Sequence, residues 1–592
     1  MKFGKNRVQF DQFEWFYFRY QNFDTYFYAG SKDIALETAT IANKFVPEIE
    51  NFFEHQLNQR IVFVIYQNLS DFRQSNIGLN TGDQTYNIGG VTKVIDNTAF
   101  LFIEGDQASL EEQIKAAIAN IVLNEMLYGI DIKNKIANNT LITMPEWYLK
   151  GLISYVSKEL DSEIDIATKR GILSGDFDNF NQLTGKDAEI AGHAIWNYIA
   201  FTYGPQVIPN IVYLTRVTKN LESGFLYVLG SSLSMLQLSW NNFYKLQYQN
   251  FDYNTDNPEG QDLIKRNRRN VEYYELQFSE NANKAAWAEN KYGKYWIKIK
   301  DLETGKTKTI FKREHKLEQI TDYTYQIIRW HPSGKLLGFV IEKKGEIYYM
   351  TYNLESEEIK EIEMTALEKM NSFDYANDGL SLVLAGFNNG QSDLFIFNIA
   401  ANTLANITQD NADDYSPLYI NNSTEIIFSS KRNGEVIGNR NKNIVPTQKY
   451  NDVYVYNLKT KEISRITNSE LNSETQPGFV NKSYVYLSDE NGINNLYSAQ
   501  IDSAISFVDT VTHYRFFLNQ NKLTNYPYSI SNLGLTKFSD ENTFLYKNEE
   551  KFRLIYNNKL PRIVNSTNKT MSRISFEKKA SKTPKINTTT IV

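Results

Sequence analysis

Residues 10–28, FDQFEWFYFRYQNFDTYFY, alternate aromatic and polar positions in two bursts, the period of two that paired strands require. IALETATIANKFVPEIENFFEHQL then carries its apolar residues at helical spacing, and IVFVIYQ (61–67) reads as a buried strand followed by a polar loop to about Gly90. TAFLFIEG (98–105) is another strand and leads into SLEEQIKAAIANIVLNEMLYG. There Ser109 and Glu112 form a capping box and Gly129 is a natural stop, which predicts about twenty residues of helix. Further helical patterns cover 145–155, 191–201 and a tail through Trp240–Tyr244.

From about residue 271 the pattern repeats. LQFSENANKAAWAENKYGKYWIKIK (276–300), IRWHPSGKLLGFVIEKKGEIYYMTYN (328–353) and FDYANDGLSLVLAGFNNGQSDLFIFN (373–398) each set an aromatic before a polar turn, an apolar strand, a second turn and an alternating strand. Similar units start near 415, 477 and 535, recurring about every 43 to 59 residues with insertions near 433–450 and 503–525. Four short strands per period and six units predict a six-bladed β-propeller. The fold class is an α+β domain followed by an all-β propeller. The boundaries are 1–250 for the first domain, 251–270 for a linker, 271–560 for the propeller and 561–592 for a polar, flexible tail that reads like a connection cut short.

Candidate chemistry sits where two of the helices end and begin. The first closes on Asn124-Glu125-Met126-Leu127-Tyr128, and the second opens Pro145-Glu146-Trp147-Tyr148-Leu149-Lys150-Gly151 and runs on to Tyr155. Together they resemble the metal-binding frame of gluzincin-type zinc peptidases. In that frame His-Glu-x-x-His puts two ligands on one helix face, and a Glu in P-x-W-x-x-E-G-x-x-x-Y supplies the third. The frame is intact, and Asn124, Tyr128 and Lys150 occupy the three ligand positions. Asn is a poor zinc ligand, Tyr would have to ionise, and Lys brings a cation to a cation's place. Glu125 keeps the general-base position, and Lys150 nearby offers it an ion pair. The resemblance therefore implies a degenerate gluzincin-like domain with no catalytic residue, no metal and no cofactor. The alternative is an active metallopeptidase with atypical ligands, Glu125 and Glu146 plus one distant His.

Composition narrows the classes. Aromatics make up 14% of the chain, with 39 Tyr and 36 Phe, which favours β structure. The absence of cysteine excludes disulfides and thiol chemistry. The five histidines, His55, His193, His315, His331 and His513, include no two at metal-ligand spacing, and His193 on an apolar helix reads as a packed core residue. A net charge of −6, spread along the chain, argues against nucleic acid as a partner. No apolar run is long enough for a membrane-spanning helix, and MKFGKNRVQF is no signal peptide. A propeller hydrolase of the prolyl-oligopeptidase type would need Gly-x-Ser-x-Gly, which Gly230-Ser231-Ser232-Leu233-Ser234 does not complete.

The repeats resemble the WD-like units of TolB-type propellers through Trp330-His331-Pro332-Ser333-Gly334, Asn377-Asp378-Gly379, Asp393-Leu394-Phe395 and Asp452-Val453-Tyr454. The glycine and Asn/Asp positions are turn devices rather than calcium or substrate sites. The order of parts, with Phe3–Phe10 and Phe13-Glu14-Trp15 at the start, resembles exported Bacteroidota proteins in which a gluzincin-like domain precedes such a propeller. That resemblance implies a periplasmic or outer-membrane-associated location. It also implies outer-membrane or periplasmic proteins or peptides as partners, and a C-terminal β-barrel that some relatives carry and this sequence lacks. The expected function is a non-catalytic scaffold, within an outer-membrane assembly or protein-secretion complex.

Overall fold

The computed structural model describes residues 12–74, 93–103, 107–129, 144–252, 255–279, 281–313, 324–343, 346–388, 391–437, 446–508, 512–537, 539–548, 551–565 and 568–582. The opening Phe3–Phe10, His315 and the last ten residues lie outside them.

The first domain is a five-stranded mixed sheet covered by helices. Its strands are β1 (Trp15–Arg19), β2 (Phe23–Tyr28), β3 (Ile61–Tyr66), β4 (Lys93–Ile95) and β5 (Thr98–Phe102), in the order β1-β2-β3-β5-β4. β2, β3 and β5 run parallel, and the two edge strands run antiparallel to their neighbours. Helices α1 (Lys32–Phe53) and α2 (Leu69–Gln74) make the crossovers, and α3 (Gln107–Tyr128) follows β5. The predicted strands and long helix are all present, but α3 starts at Gln107, so Ser109 and Glu112 lie inside its first turns and do not cap it. Buried residues surround α3 on every side, among them Ile114, Ala117, Ile118, Val122 and Leu127, so it is the domain's central helix.

Among the described residues six more α-helices follow: α4 (Glu146–Ser157), α5 (Ser162–Ser174), α6 (Gly185–Tyr203), α7 (Val207–Thr218), α8 (Leu221–Leu229) and α9 (Leu233–Asp252).

Six four-stranded antiparallel sheets form a six-bladed β-propeller. The inner strands are Glu272–Ser279, Ile327–Trp330, Lys369–Tyr375, Asp414–Ile420, Glu474–Val480 and Ile530–Leu535. The ring closes through a short strand, β6 (Gln261–Asp262), which pairs with Lys551–Asn557 as the outermost strand of blade 6. Residues 251–270 are therefore part propeller, because a two-residue strand in a polar stretch leaves no periodicity to read. The "insertion" after residue 503 is likewise strand: Asn495–Val508 pairs with Thr512–Lys522 as one long hairpin.

The WD-like residues hold blades together. The Leu394, Val453 and Leu496 backbone N–H groups donate to the Thr408, Thr467 and Thr524 hydroxyls at 2.9, 2.8 and 2.8 Å. The preceding Asp393 accepts from Asn406, while Asp452 and Asn495 accept from the threonine of their own blade. Gly334 (φ +69) and Gly379 (φ +72) occupy the left-handed positions of their turns, as expected of turn devices.

The tail departs from expectation. α10 (Met571–Lys582) is helical and packs on α5. Met571 is buried in the first domain's core, and Arg573, 1% exposed, pairs with Asp489 of blade 5 at 2.9 Å. Its abundant Lys and Ser suggested a solvated tail, but three consecutive buried residues, Met571, Ser572 and Arg573, anchor it across the domain junction. A second tie at that junction is the Asp413 carboxylate of the propeller, which accepts from the Gln107 N–H at the start of α3 at 3.2 Å.

Candidate functional site

α3 and α4 pack against each other, which brings together the two helices that carry Asn124, Tyr128 and Lys150. Two of these side chains take a partner one turn away on their own helix: the Asn124 amide donates to Asn120, and Lys150 pairs with Glu146. Tyr128 is partly buried, and desolvation raises its pKa, opposite to the ionisation that metal binding by a phenol needs.

Glu125 does not take Lys150 as its partner, a departure from the ion pair expected above. Its side chain is only 8% exposed and reaches the connection between α1 and β3. There it accepts from the Asn58 N–H at 3.1 Å and the Asn58 amide at 2.6 Å, and lies 3.1 Å from His55 Nε2. A carboxylate held by three partners on a neighbouring segment is a clamp between α3 and that segment. Nothing in the sequence pointed to His55, which lies 70 residues away.

Glu146 is committed elsewhere. It accepts from Lys150 and from the Gly185 N–H, at 2.8 Å, at the start of α6. Burial works against its charge, but these two donors outweigh it and hold the carboxyl below its ordinary range. The two acids of the atypical-ligand alternative thus serve different elements. Among the described residues no three His, Asp or Glu side chains form a group able to hold a metal ion.

The rest of the frame is explained by packing. α4 crosses α6 where Gly151 meets Gly192: a Cβ on Gly151 would lie 2.3 Å from Gly192 Cα, and one on Gly192 would lie 2.0 Å from the Trp147 carbonyl oxygen. Trp147 is fully buried and donates to Asn181 at 2.7 Å, while Trp196 of α6 donates to the Tyr148 carbonyl at 3.1 Å. The tryptophan and glycine of P-x-W-x-x-x-G are therefore needed to seat α4, whatever stands at position 150.

His193 of α6 is 1% exposed, 3.0 Å from the Ser154 hydroxyl and edge-on to Tyr155. Burial, with Lys158 and Lys579 adding to it, lowers its pKa from 6.5 to about 3. The folded state therefore refuses a proton that the unfolded chain accepts, so stability is full above pH 6.5 and lost as pH falls from 6.5 toward 3. His193→Gln is expected to flatten this acid limb, read as denaturation midpoints across that interval. An unchanged limb would assign the acid sensitivity to other groups.

The propeller offers a second candidate. A cavity of about 380 Å³ occupies the central channel, walled by the inner strands of all six blades. Five of these strands carry a β-bulge, and Glu275, Ser416 and Gln476 have positive φ there. Inner-strand side chains bridge blades, Glu275 and Gln476 from the bulges and Asp374 from regular strand. Glu275 accepts from the Ile328 N–H at 3.3 Å and pairs with Arg329 at 2.9 Å. Gln476 accepts from the Leu533 N–H at 2.7 Å. Asp374 accepts from the Tyr419 N–H at 2.9 Å and pairs with Lys537 at 2.8 Å. These residues escaped the sequence reading because no motif marks a bulge. The regularity that could have found them is a polar residue in the middle of each inner strand.

The sequence matches no protein-family profile and no curated protein. Solved structures to which the chain is similar include TolB from Acinetobacter baumannii, at 12% identity and TM-score 0.28 over 56% of this chain and 72% of that one. Another is the β-propeller domain of the Trilobed protease from Pyrococcus furiosus, at 13% identity and TM-score 0.33 over 51% of this chain and 99% of that one. A third is oligogalacturonate lyase from Vibrio parahaemolyticus, at 12% identity and TM-score 0.32 over 48% of this chain and 88% of that one. The propeller itself is established by the blade topology.

Proposed function

We propose that this protein is a non-catalytic scaffold that binds polypeptide, with a degenerate gluzincin-like domain joined to a six-bladed propeller. The observation that carries this reading is the fate of the motif's acid. Glu125, at the general-base position, is spent on His55 and Asn58, while Asn124, Tyr128 and Lys150 stand where ligands would. Activating a water for peptide hydrolysis takes a metal held by deprotonated ligands, and these side chains are a poor set for it. The cell envelope, as a periplasmic or outer-membrane-associated protein, is the proposed location, and outer-membrane or periplasmic proteins are the proposed partners. Both rest on the resemblance in domain order. No helix among the described residues is long and apolar enough to cross a membrane.

Glu125→Gln separates a clamp from a catalyst. The clamp predicts no change in peptide cleavage and a loss of about 1–3 kcal/mol in stability, from weakening charge-assisted hydrogen bonds to Asn58 and His55. Denaturant midpoints and a fluorogenic peptide assay read the two effects. Cleavage by the wild type that the substitution abolishes would overturn the proposal. Crosslinking and affinity purification from native envelopes tests the partner: recovery of an outer-membrane assembly supports it, and recovery of cleaved peptides alone contradicts it.

A further inference from the structure

Exposed apolar residues are spread unevenly over the chain. Of the 23 large hydrophobic side chains exposed among the described residues, nine fall between Phe201 and Leu246. Residues 201–250 hold only four charges, Arg216, Lys219, Glu222 and Lys245, in a chain that is 22% charged. Single exposed apolar residues are ordinary, but a charge-poor concentration of them marks a surface that something covers.

The three helices of this stretch show how these residues reach the outside. α7 turns Ile208, Ile211, Val212 and Thr215 to the core, which leaves Tyr213 and Val217 outward, each 57% exposed. α8 lies close against α7, with Gly224 packed on Ile211 and Thr215. It exposes Leu226 and Tyr227, and Tyr227, at 70%, is the most exposed large hydrophobic of the described residues. α9 buries Leu236, Trp240, Tyr244 and Tyr248 at four-residue intervals. Its opposite face presents Met235, Leu238, Asn242 and Leu246, with no charge among them.

The charges that remain are nearly all of one sign. Arg216 lies one turn after Tyr213 and next to Val217, and Lys219 follows at the end of α7. Arg216 and Lys219 are exposed and Lys245 is half-buried, and none of these side chains has a partner among the described residues. The one acid, Glu222, accepts from the Leu233 N–H at 3.1 Å at the start of α9.

Outward aliphatic side chains, tyrosines and unpaired cations on neighbouring helices are the complement of an anionic lipid bilayer. Acyl chains take the Leu, Met and Val side chains, and tyrosine rings sit at the headgroup level. Phosphates meet Arg216 and Lys219. A second copy fits less well, because a two-fold contact would set these cations against their own equivalents.

We propose that the outer faces of α7, α8 and α9 dock on an anionic lipid bilayer, lying in its headgroup layer without spanning it. This goes beyond the scaffold reading and uses none of its residues. Zinc bound between α3 and α4 would sink that reading and leave this one standing.

The test sediments the full chain with sucrose-loaded vesicles, either of phosphatidylcholine alone or of equal parts phosphatidylcholine and phosphatidylglycerol. The anionic vesicles are expected to bind the chain and the neutral ones far less, with binding falling as salt rises. Arg216→Gln with Lys219→Gln is expected to weaken binding about 25-fold, at roughly fivefold per cation. Leu226→Ser with Tyr227→Ser is expected to weaken it at least about tenfold. All four side chains are exposed, so both variants should melt with the wild type. Leu380→Ser, at an exposed site on the propeller, should bind as the wild type does. A lipid carrying a photoactivatable diazirine is expected to label residues 207–252, which locates the contact even if a variant folds poorly. No binding to either vesicle, equal binding to both, unchanged binding in both variants or labelling confined to the propeller would overturn the proposal. Dimers that Leu226→Ser with Tyr227→Ser dissolves, in the absence of vesicle binding, would assign the surface to a second copy instead.

Discussion

Gly151→Ala is expected to cost at least about 3 kcal/mol, the upper part of the usual range for overpacking. The added methyl would meet backbone on the other side: the Gly192 carbonyl carbon and Cα, both at 2.3 Å. Backbone cannot rotate away as a flexible side chain can, so α4 and α6 must move apart. That motion would disturb Trp147 and Trp196, both fully buried at the crossing. The readouts are a lowered thermal midpoint of the first domain and faster amide exchange in α4 and α6. A variant of unchanged stability would mean that the crossing is looser than described. Packing would then no longer account for Trp147 and Gly151 at their places in α4.

Arg432→Met should be the most damaging single change in the propeller. Arg432 is fully buried, donating to both Asp414 oxygens at 2.8 Å and to Asp410 at 3.0 Å, and both acids are fully buried with it. Methionine fills much of the space but leaves two carboxylates with no cation between them. Removing one member of a buried ionic group costs about 3–5 kcal/mol, because the remaining charge stays buried. Converting Asp410 and Asp414 to Asn in the same chain is expected to recover a large part of that loss. Equal instability of the single and triple variants would show that the arginine acts through its packing rather than its charge.

The sequence carried the architecture well where periodicity was strong. The apolar positions of α3, the alternation in β1 and β2 and the sixfold repeat all lie in local spacing, and each appears in the fold. β6 and α10 were illegible because their stabilisation is not local: β6 has two residues and one partner strand almost 300 residues away, and α10 is held by Met571 and Arg573. The site was legible only as a pattern of positions. Spacing placed Asn124, Tyr128 and Lys150 on packed helices, but the partners of Glu125 come from a different segment. Lys150 found Glu146 because four residues on one helix is the shorter reach.

The most direct test of the account is a metal titration of the full chain, incubated with excess zinc, desalted and assayed by mass spectrometry alongside Glu125→Gln. Because Glu125 serves His55 and Asn58, and Asn124, Tyr128 and Lys150 are poor zinc ligands, both proteins should retain far less than one zinc per chain. One zinc per wild-type chain, lost together with peptide cleavage in the variant, would contradict it.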